Sequence, residues 1–329
     1  MARVKNYRPE DPLRLKARRI VGHWAGAAVR TVVPPLHALV YPREQFAPGV
    51  SANIVTRNDP WLPESIASIR EHVQEFIIVD SSTSPYKERN ERLLKEWDLP
   101  GLVYRHAELD IFEARKLASS LTTRDWALRW DSDIVATARI GELIRLLGTL
   151  NRRRYYYEIF FPLVNVGRSL DRVPTQTFQI EAWLYSSSRS FSHHLRPLLT
   201  GEAGQTDEPG VPWFYRKRYL NEVYGIHLAR FMPISKLVEK RLHFLWMDPG
   251  TKSRYPDYGT FYAEMRPKVE GTIRDEPTLP YDEARFGPLP KELLPYRGRS
   301  PDEIFPETGG STTSGSSVPP PVAEALVRT

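Results

Sequence analysis

A three-layer α/β sandwich around a mostly parallel mixed sheet is the fold class this chain predicts, and three features predict it. Apolar, β-branched runs alternate with helical periodicities from Val50 onward, which is the pattern of strand-helix-strand units. Acidic residues stand at the expected ends of strands, at Asp80 and again at Asp131 and Asp133. Open sheets of this class bind ligands beyond the carboxyl ends of their strands. A basic arm precedes the alternating region and a segment rich in Pro and Tyr follows it, so the domain carries an N-terminal arm and a C-terminal wrapping segment.

The elements follow in order. Pro34-Pro35, Pro42 and Pro48-Gly49 make residues 1–48 an arm and a non-helical connector. A strand then runs from Val50 to Thr56, a polar turn occupies Arg57-Asn58-Asp59-Pro60, and a helix extends from Leu62 to about His72. Glu75 to Val79 is the second strand, ending in the loop Asp80-Ser81-Ser82-Thr83-Ser84 before a charged helix over Tyr86 to Glu96. A short strand at Leu102 to Tyr104 and a helix through Glu113 to Ser119 lead to the strand that delivers Asp131. Ile140 to Leu147 has helical spacing, and Tyr155 to Val166 and Thr177 to Tyr185 are the strands that complete the sheet. Residues 186–225 are irregular, with an acidic loop at Gly201 to Gly210; this closes a catalytic domain at 49–225. A helix over Ile234 to Trp246 opens a helical and irregular segment at 226–305, whose later part wraps over the domain without a new core. The small, polar, proline-rich residues 306–329 predict a disordered tail.

Composition bounds the chemistry. The chain has 329 residues, 41% of them hydrophobic, enough for a sizeable core. It has no cysteine, which excludes disulfides, thiolate metal sites and a cysteine nucleophile. No apolar stretch approaches the roughly 20 residues of a membrane span, and no signal-like segment is present, so the expected location is the cytoplasm. Eight basic residues against Glu10 and Asp11 in residues 1–30 account for the whole formal net charge of +6. Such an arm suits peripheral contact with an anionic membrane face or with DNA.

Trp130-Asp131-Ser132-Asp133 carries the chemistry. Strand side chains alternate, so Asp131 and Asp133 are expected to start on the same side of the sheet. Hard carboxylate oxygens suit Mn2+ or Mg2+, which complete their shells with water and phosphate oxygens, and a nucleoside diphosphate is the natural partner. His227 and His243 are candidates to add an imidazole to this ion or to the phosphate.

With those pieces in order, Val50 to about Ala136 resembles the family-two glycosyltransferases. Val50-Ser51-Ala52-Asn53-Ile54-Val55-Thr56-Arg57-Asn58 is similar to the family's first strand and nucleotide-contacting turn. Phe76-Ile77-Ile78-Val79-Asp80 looks like its second strand, Glu113-Ala114-Arg115-Lys116-Leu117-Ala118 like its basic helix entry, and Asp131-Ser132-Asp133 like its DxD metal motif. The sequence departs at Ser81 to Pro85, which lacks a second acid and a glycine, and at Lys116-Leu117, where relatives carry asparagine and glycine.

The resemblance implies a GT-A fold and a metal-dependent glycosyltransferase of hexosyltransferase type, inverting, with a UDP- or GDP-linked sugar as donor. It implies that Asp133 binds the metal, with Asp131 reaching it through water or touching the ribose. Thr56, Arg57, Asp80 and Arg115 would contact the nucleotide. Candidates for the general base are Asp207 and Glu208 in the acidic loop, with Glu181 in reserve. The acceptor would be a lipid-linked or envelope glycan. Glycosylation of hydroxylated DNA bases, a nucleotidyltransferase, and a non-catalytic nucleic-acid or membrane binder are the alternatives.

Overall fold

The computed structural model describes residues 46–150, 155–175, 178–187 and 216–305, with isolated positions 28, 31, 32 and 36 before them. Strand β1 (Ala47–Thr56) lies between β2 (Glu75–Asp80) and β4 (Arg124–Asp131), parallel to both, and β3 (Val103–His106) pairs in parallel with β2. Helices α1 (Leu62–Ile69), α2 (Tyr86–Glu96) and α3 (Ile111–Leu121) make the crossovers. After β4 the chain forms β5 (Ile134–Ala136), α4 (Ile140–Thr149), β6 (Tyr157–Asn165), β7 (Arg172–Pro174) and β8 (Phe178–Ser186). Strands β9 (Arg216–Tyr219) and β10 (Gly225–His227) precede helices α5 (Ile234–Met247) and α6 (Tyr258–Arg274).

The main sheet runs β3-β2-β1-β4-β8-β6-β10-β5, with β9 beside the first half of β6. Its β3 to β4 half is parallel, and β8 is antiparallel to both β4 and β6. This is the mixed, mostly parallel sheet between helical layers that the sequence predicts. Alternation within β2 explains the layers. Phe76 and Ile78 join a cluster with Leu62, Ile66 and Ile69 of α1, while Ile77 and Val79 meet Ala114 and Ala118 of α3 on the other side. Truncating a fully buried residue such as Ile78 to alanine would cost about 2–5 kcal/mol through lost contacts and the cavity left behind.

Several short strands escape sequence reasoning, β9 and β10 among them. Strand β9 reads Arg216-Lys217-Arg218-Tyr219, too charged to look like a strand. It survives because Arg216 lies over the Tyr155 ring and Tyr219 stacks on Phe160, so its apolar surface is borrowed from β6. Strand β10 is short, and its Gly225 is a close-approach glycine. A Cβ there would stand 2.9 Å from Leu163 and 3.1 Å from the Trp130 ring.

The stretch after Met247 divides in two. Helix α6 begins at an Asp257 cap that accepts from the Thr260 N–H, and it packs on α5 to build a small core of Val238, Leu242, Phe261, Val269 and Ile273. That core departs from the expectation of a coreless wrap; Pro267 inside α6 had disguised the helix. The later residues do wrap. Phe305 and Tyr296 meet Trp61 edge-on, Phe231 stacks on it, and Tyr296 Oη donates to the buried Glu64 carboxylate. Burial raises the Glu64 pKa to about 7, the Tyr296 hydrogen bond opposing the rise.

Candidate functional site

Register places the candidate residues on one edge of the sheet. Thr56 pairs with Asp80, Val55 pairs with Asp131, and Asp80 pairs with His106, so β1, β2, β3 and β4 all end level. The turn after β1 is stitched to the loop after β2. Asn58 adopts a left-handed φ of 52°, which an asparagine tolerates; its N–H donates to Ser82 Oγ at 2.8 Å and its Oδ1 accepts from the Thr83 N–H at 2.9 Å. Arg89 of α2 clamps the same turn by donating to the Asp59 carbonyl at 2.7 Å and the Pro60 carbonyl at 3.3 Å.

Asp80 is fully buried, and its carboxylate is occupied by its own surroundings. One oxygen accepts from the Ser82 N–H at 2.7 Å, and the other from Asn90 Nδ2 at 3.0 Å and Tyr104 Oη at 3.1 Å. It therefore orders the loop that a nucleotide base would meet. Thr56 is also buried, and its hydroxyl has no hydrogen-bond partner among the described residues. A buried polar atom of this kind is costly unless a ligand or water serves it. Arg57 is exposed at the rim of the turn.

The aspartate pair does not behave as the alternation argument expects. Strand β4 ends at Asp131 and the chain turns at Ser132-Asp133, so strand periodicity stops before the second carboxylate. Arg115 of α3 binds Asp131 through Nη2, at 3.0 and 2.9 Å from the two oxygens. Asp133 instead faces His227 Nε2 at 3.4 Å and Lys240 Nζ at 3.5 Å. Its side chain is 7% exposed, against 22% for Asp131.

His227 ends β10 beside Asn165 of β6 and opposite Ile134 of β5. Its Nδ1 lies 2.8 Å from Asn165 Oδ1. Since that amide oxygen only accepts, Nδ1 carries the proton and donates, and Nε2 is the nitrogen turned toward Asp133. Burial disfavours the imidazolium, but the Asp133 carboxylate outweighs it and raises the His227 pKa. Burial likewise opposes ionisation of Asp133, yet His227 and Lys240 hold its carboxyl well below the usual range. Asp59 moves the other way, raised to about 6 by burial and by the negative charge of Asp133.

One pair in this cluster has a donor spacing near that of two ligands of one ion, although Lys240 stands against the same carboxylate. Two donors of one octahedral ion, each about 2.1 Å from it, stand roughly 3 Å apart. The Asp133 and His227 donor atoms, at 3.4 Å, are within a small adjustment of that separation. The Asn165 contact supplies the outer hydrogen bond that a ligating histidine needs. Among the described residues no three His, Asp or Glu side chains converge on one point, so Asp131 does not complete a cage. Magnesium and manganese in nucleotide sites commonly use one or two protein ligands and take the rest from phosphate and water.

Other expected residues fall elsewhere. Asp207 and Glu208 lie outside the described residues, as does nearly all of the basic arm. Glu181 sits on β8 opposite Phe161, on a strand adjacent to β4. His243 is exposed on α5 beside Phe244, and Trp246 packs with Phe261 and Tyr258 in the α5–α6 pair. Sequence reasoning missed Asp59, Asn165 and Lys240. Asp59 stood in the polar turn already noted, whereas Asn165 and Lys240 carry no local signal and become visible only through strand pairing and helix docking.

No family model matches the chain, and no curated protein matches it. Among solved structures, the 4-diphosphocytidyl-2C-methyl-D-erythritol synthase of Anaerococcus prevotii aligns at 10% identity over 53% of this chain and 87% of that one, with a TM-score of 0.37. The 1–349 fragment of S. aureus TarS aligns at 11% identity over 59% of this chain and 64% of the fragment, with a TM-score of 0.37. The same fragment in complex with UDP-GlcNAc aligns at 13% identity over 58% and 63%, with a TM-score of 0.36. The chain thus spans less than two thirds of the TarS fragment.

Proposed function

We propose that this chain is a glycosyltransferase that moves a sugar from a nucleoside-diphosphate donor, UDP- or GDP-linked, to an acceptor hydroxyl with inversion. The observation that carries the reading is the Asp133–His227–Asn165 arrangement at the carboxyl edge of the parallel strands, where Asn165 fixes the tautomer that turns Nε2 toward the carboxylate. Asp133 and His227 would hold Mn2+ or Mg2+, and Asp131, steadied by Arg115, would reach the ion through water or touch the ribose. Such an ion, when bound, neutralises charge on the donor's diphosphate.

The chain's own residues do the rest. Thr56 and the Arg57–Asp59 turn receive the nucleotide on one side, and Asp80 keeps the Ser81–Ser84 loop in place on the other. Arg115 lies beside the ribose and phosphate position and suits contact with phosphate oxygens. In the transfer, the acceptor oxygen forms a bond to the anomeric carbon as the bond to the donor phosphate oxygen breaks. The acceptor proton passes to a carboxylate base, for which Asp207, Glu208 and Glu181 are the candidates, and the electron pair leaves with the nucleoside diphosphate. The acceptor in this reading is a lipid-linked or envelope glycan, approached through the basic residues of 1–30 at a membrane face.

The test is a thermal-shift screen of UDP, GDP and their sugars with and without Mn2+, followed by analysis of products. A ligand that prefers the native state raises the melting temperature by mass action. Stabilisation by a nucleoside diphosphate, and its release on turnover, support the proposal. Release of pyrophosphate, or indifference to every nucleoside diphosphate, refutes it.

A further inference from the structure

Helix α5 does more than pack against α6. Its apolar side, Val238 and Leu242, faces α6 in a core of its own, separate from the clusters around the sheet. Its other side carries two lysines one turn apart, which places them in one row on the helix surface. Lys236 Nζ donates to Tyr86 Oη at 3.0 Å, at the first residue of α2 and just past the loop after β2. Lys240 Nζ stands 3.5 Å from Asp133 Oδ2, just past the end of β4. Strand β1 lies between β2 and β4, so α5 crosses above the end of β1 and its turn at Arg57–Asp59. The helix therefore links the start of α2 to the turn after β4.

Lys240 is the cation that this crossing delivers. Burial works against its charge, but Asp133, Asp59 and Asp131 all favour it. Its side chain is 40% exposed although Asp133 beside it is buried, so the ammonium has a way out toward solvent. An ammonium carries three N–H donors and turns freely on its stem, so it can exchange a long carboxylate contact for phosphate oxygens.

We propose, resting on the function stated above, that Lys240 is a catalytic residue. Its ammonium leaves Asp133 when the donor binds, contacts the diphosphate, and stabilises the nucleoside diphosphate as it departs. The companion residue Lys236 keeps α5 in position through Tyr86.

The experiment compares UDP, UMP, GDP and GMP binding to the full chain in Mn2+ by calorimetry, for the wild type, Lys240→Met and Lys240→Arg. Loss of a charged hydrogen bond should weaken diphosphate binding in Lys240→Met by roughly tenfold or more. Monophosphate affinity should change less than about threefold, because the contact is made only to the second phosphate. Lys240→Arg should keep most of the diphosphate preference and most of the turnover. Lys240→Gln, which removes the charge but keeps an N–H donor, gives the same comparison should the methionine variant melt early. Equal losses for mono- and diphosphates, or no loss in either, overturn the role of Lys240. Failure of the wild type to bind UDP or GDP overturns the glycosyltransferase reading itself, and this role with it.

Discussion

Asp80 and Asp133 both stand at strand ends on one edge of one sheet, yet their surroundings are opposite. Asp80 is sealed, with three uncharged donors between 2.7 and 3.1 Å, drawn from the loop after β2, from α2 and from β3. Asp133 keeps two longer contacts, 3.4 and 3.5 Å, to the basic side chains of His227 and Lys240, which arrive from β10 and α5. Short bonds to neutral groups hold a loop still and have nothing to exchange. Long contacts to basic groups leave slack that, in the proposed reading, a metal ion and a diphosphate take up. In that reading the first aspartate builds the loop and the second works at the donor.

The contrast is most exposed to Asp133→Ala. Turnover should fall by roughly 10²- to 10³-fold, the scale of losing one preorganised charge-stabilising group. Initial rates measure the loss, and a thermal melt beside them checks that the variant is folded. A variant that keeps full activity removes Asp133 from the chemistry. Asp80→Ala should do the reverse. It leaves buried donors on Ser82, Asn90 and Tyr104 unserved, at about 1–3 kcal/mol for each left unsatisfied. Urea denaturation should register a loss of roughly 3 kcal/mol, with nucleotide affinity falling only as the loop loosens.

The seam between the two regions is Glu64, where the returning C-terminal segment meets α1. Its pKa is raised from 4.5 to about 7, so the native state holds a proton that the unfolded chain releases. The stability it contributes is full below about pH 4.5 and is lost as pH rises through about 7. Between pH 5 and pH 8 the wild type should lose on the order of 2 kcal/mol that Glu64→Gln does not lose. Parallel denaturation curves for the two proteins across that range would remove Glu64 from the seam. The smallest effect expected is that of Asn165→Ala, which leaves both carboxylates untouched. Mn2+ affinity in the presence of UDP should weaken by about tenfold, the lower end of what losing an outer hydrogen bond to a ligating histidine costs. An unchanged Mn2+ titration would mean that Asn165 does not set the ring.

The sequence by itself determined the parallel half of the molecule. Runs such as Phe76-Ile77-Ile78-Val79 can only be buried on both faces, and their alternation with amphipathic helices leaves a doubly covered sheet as the outcome. The ends of β2 and β4, and hence Asp80 and Asp131, follow from that pattern. Tertiary structure alone decided what the aspartates face. Strand periodicity ends at Asp131, so nothing local orients Asp133, and its partners come from a three-residue strand and from one turn of a distant helix. Such partners are set by pairing register and helix docking, which depend on the whole packed core and on no short stretch of residues. The same holds for the burial that raises Glu64 and seals Asp80, because desolvation is a property of the assembled layers.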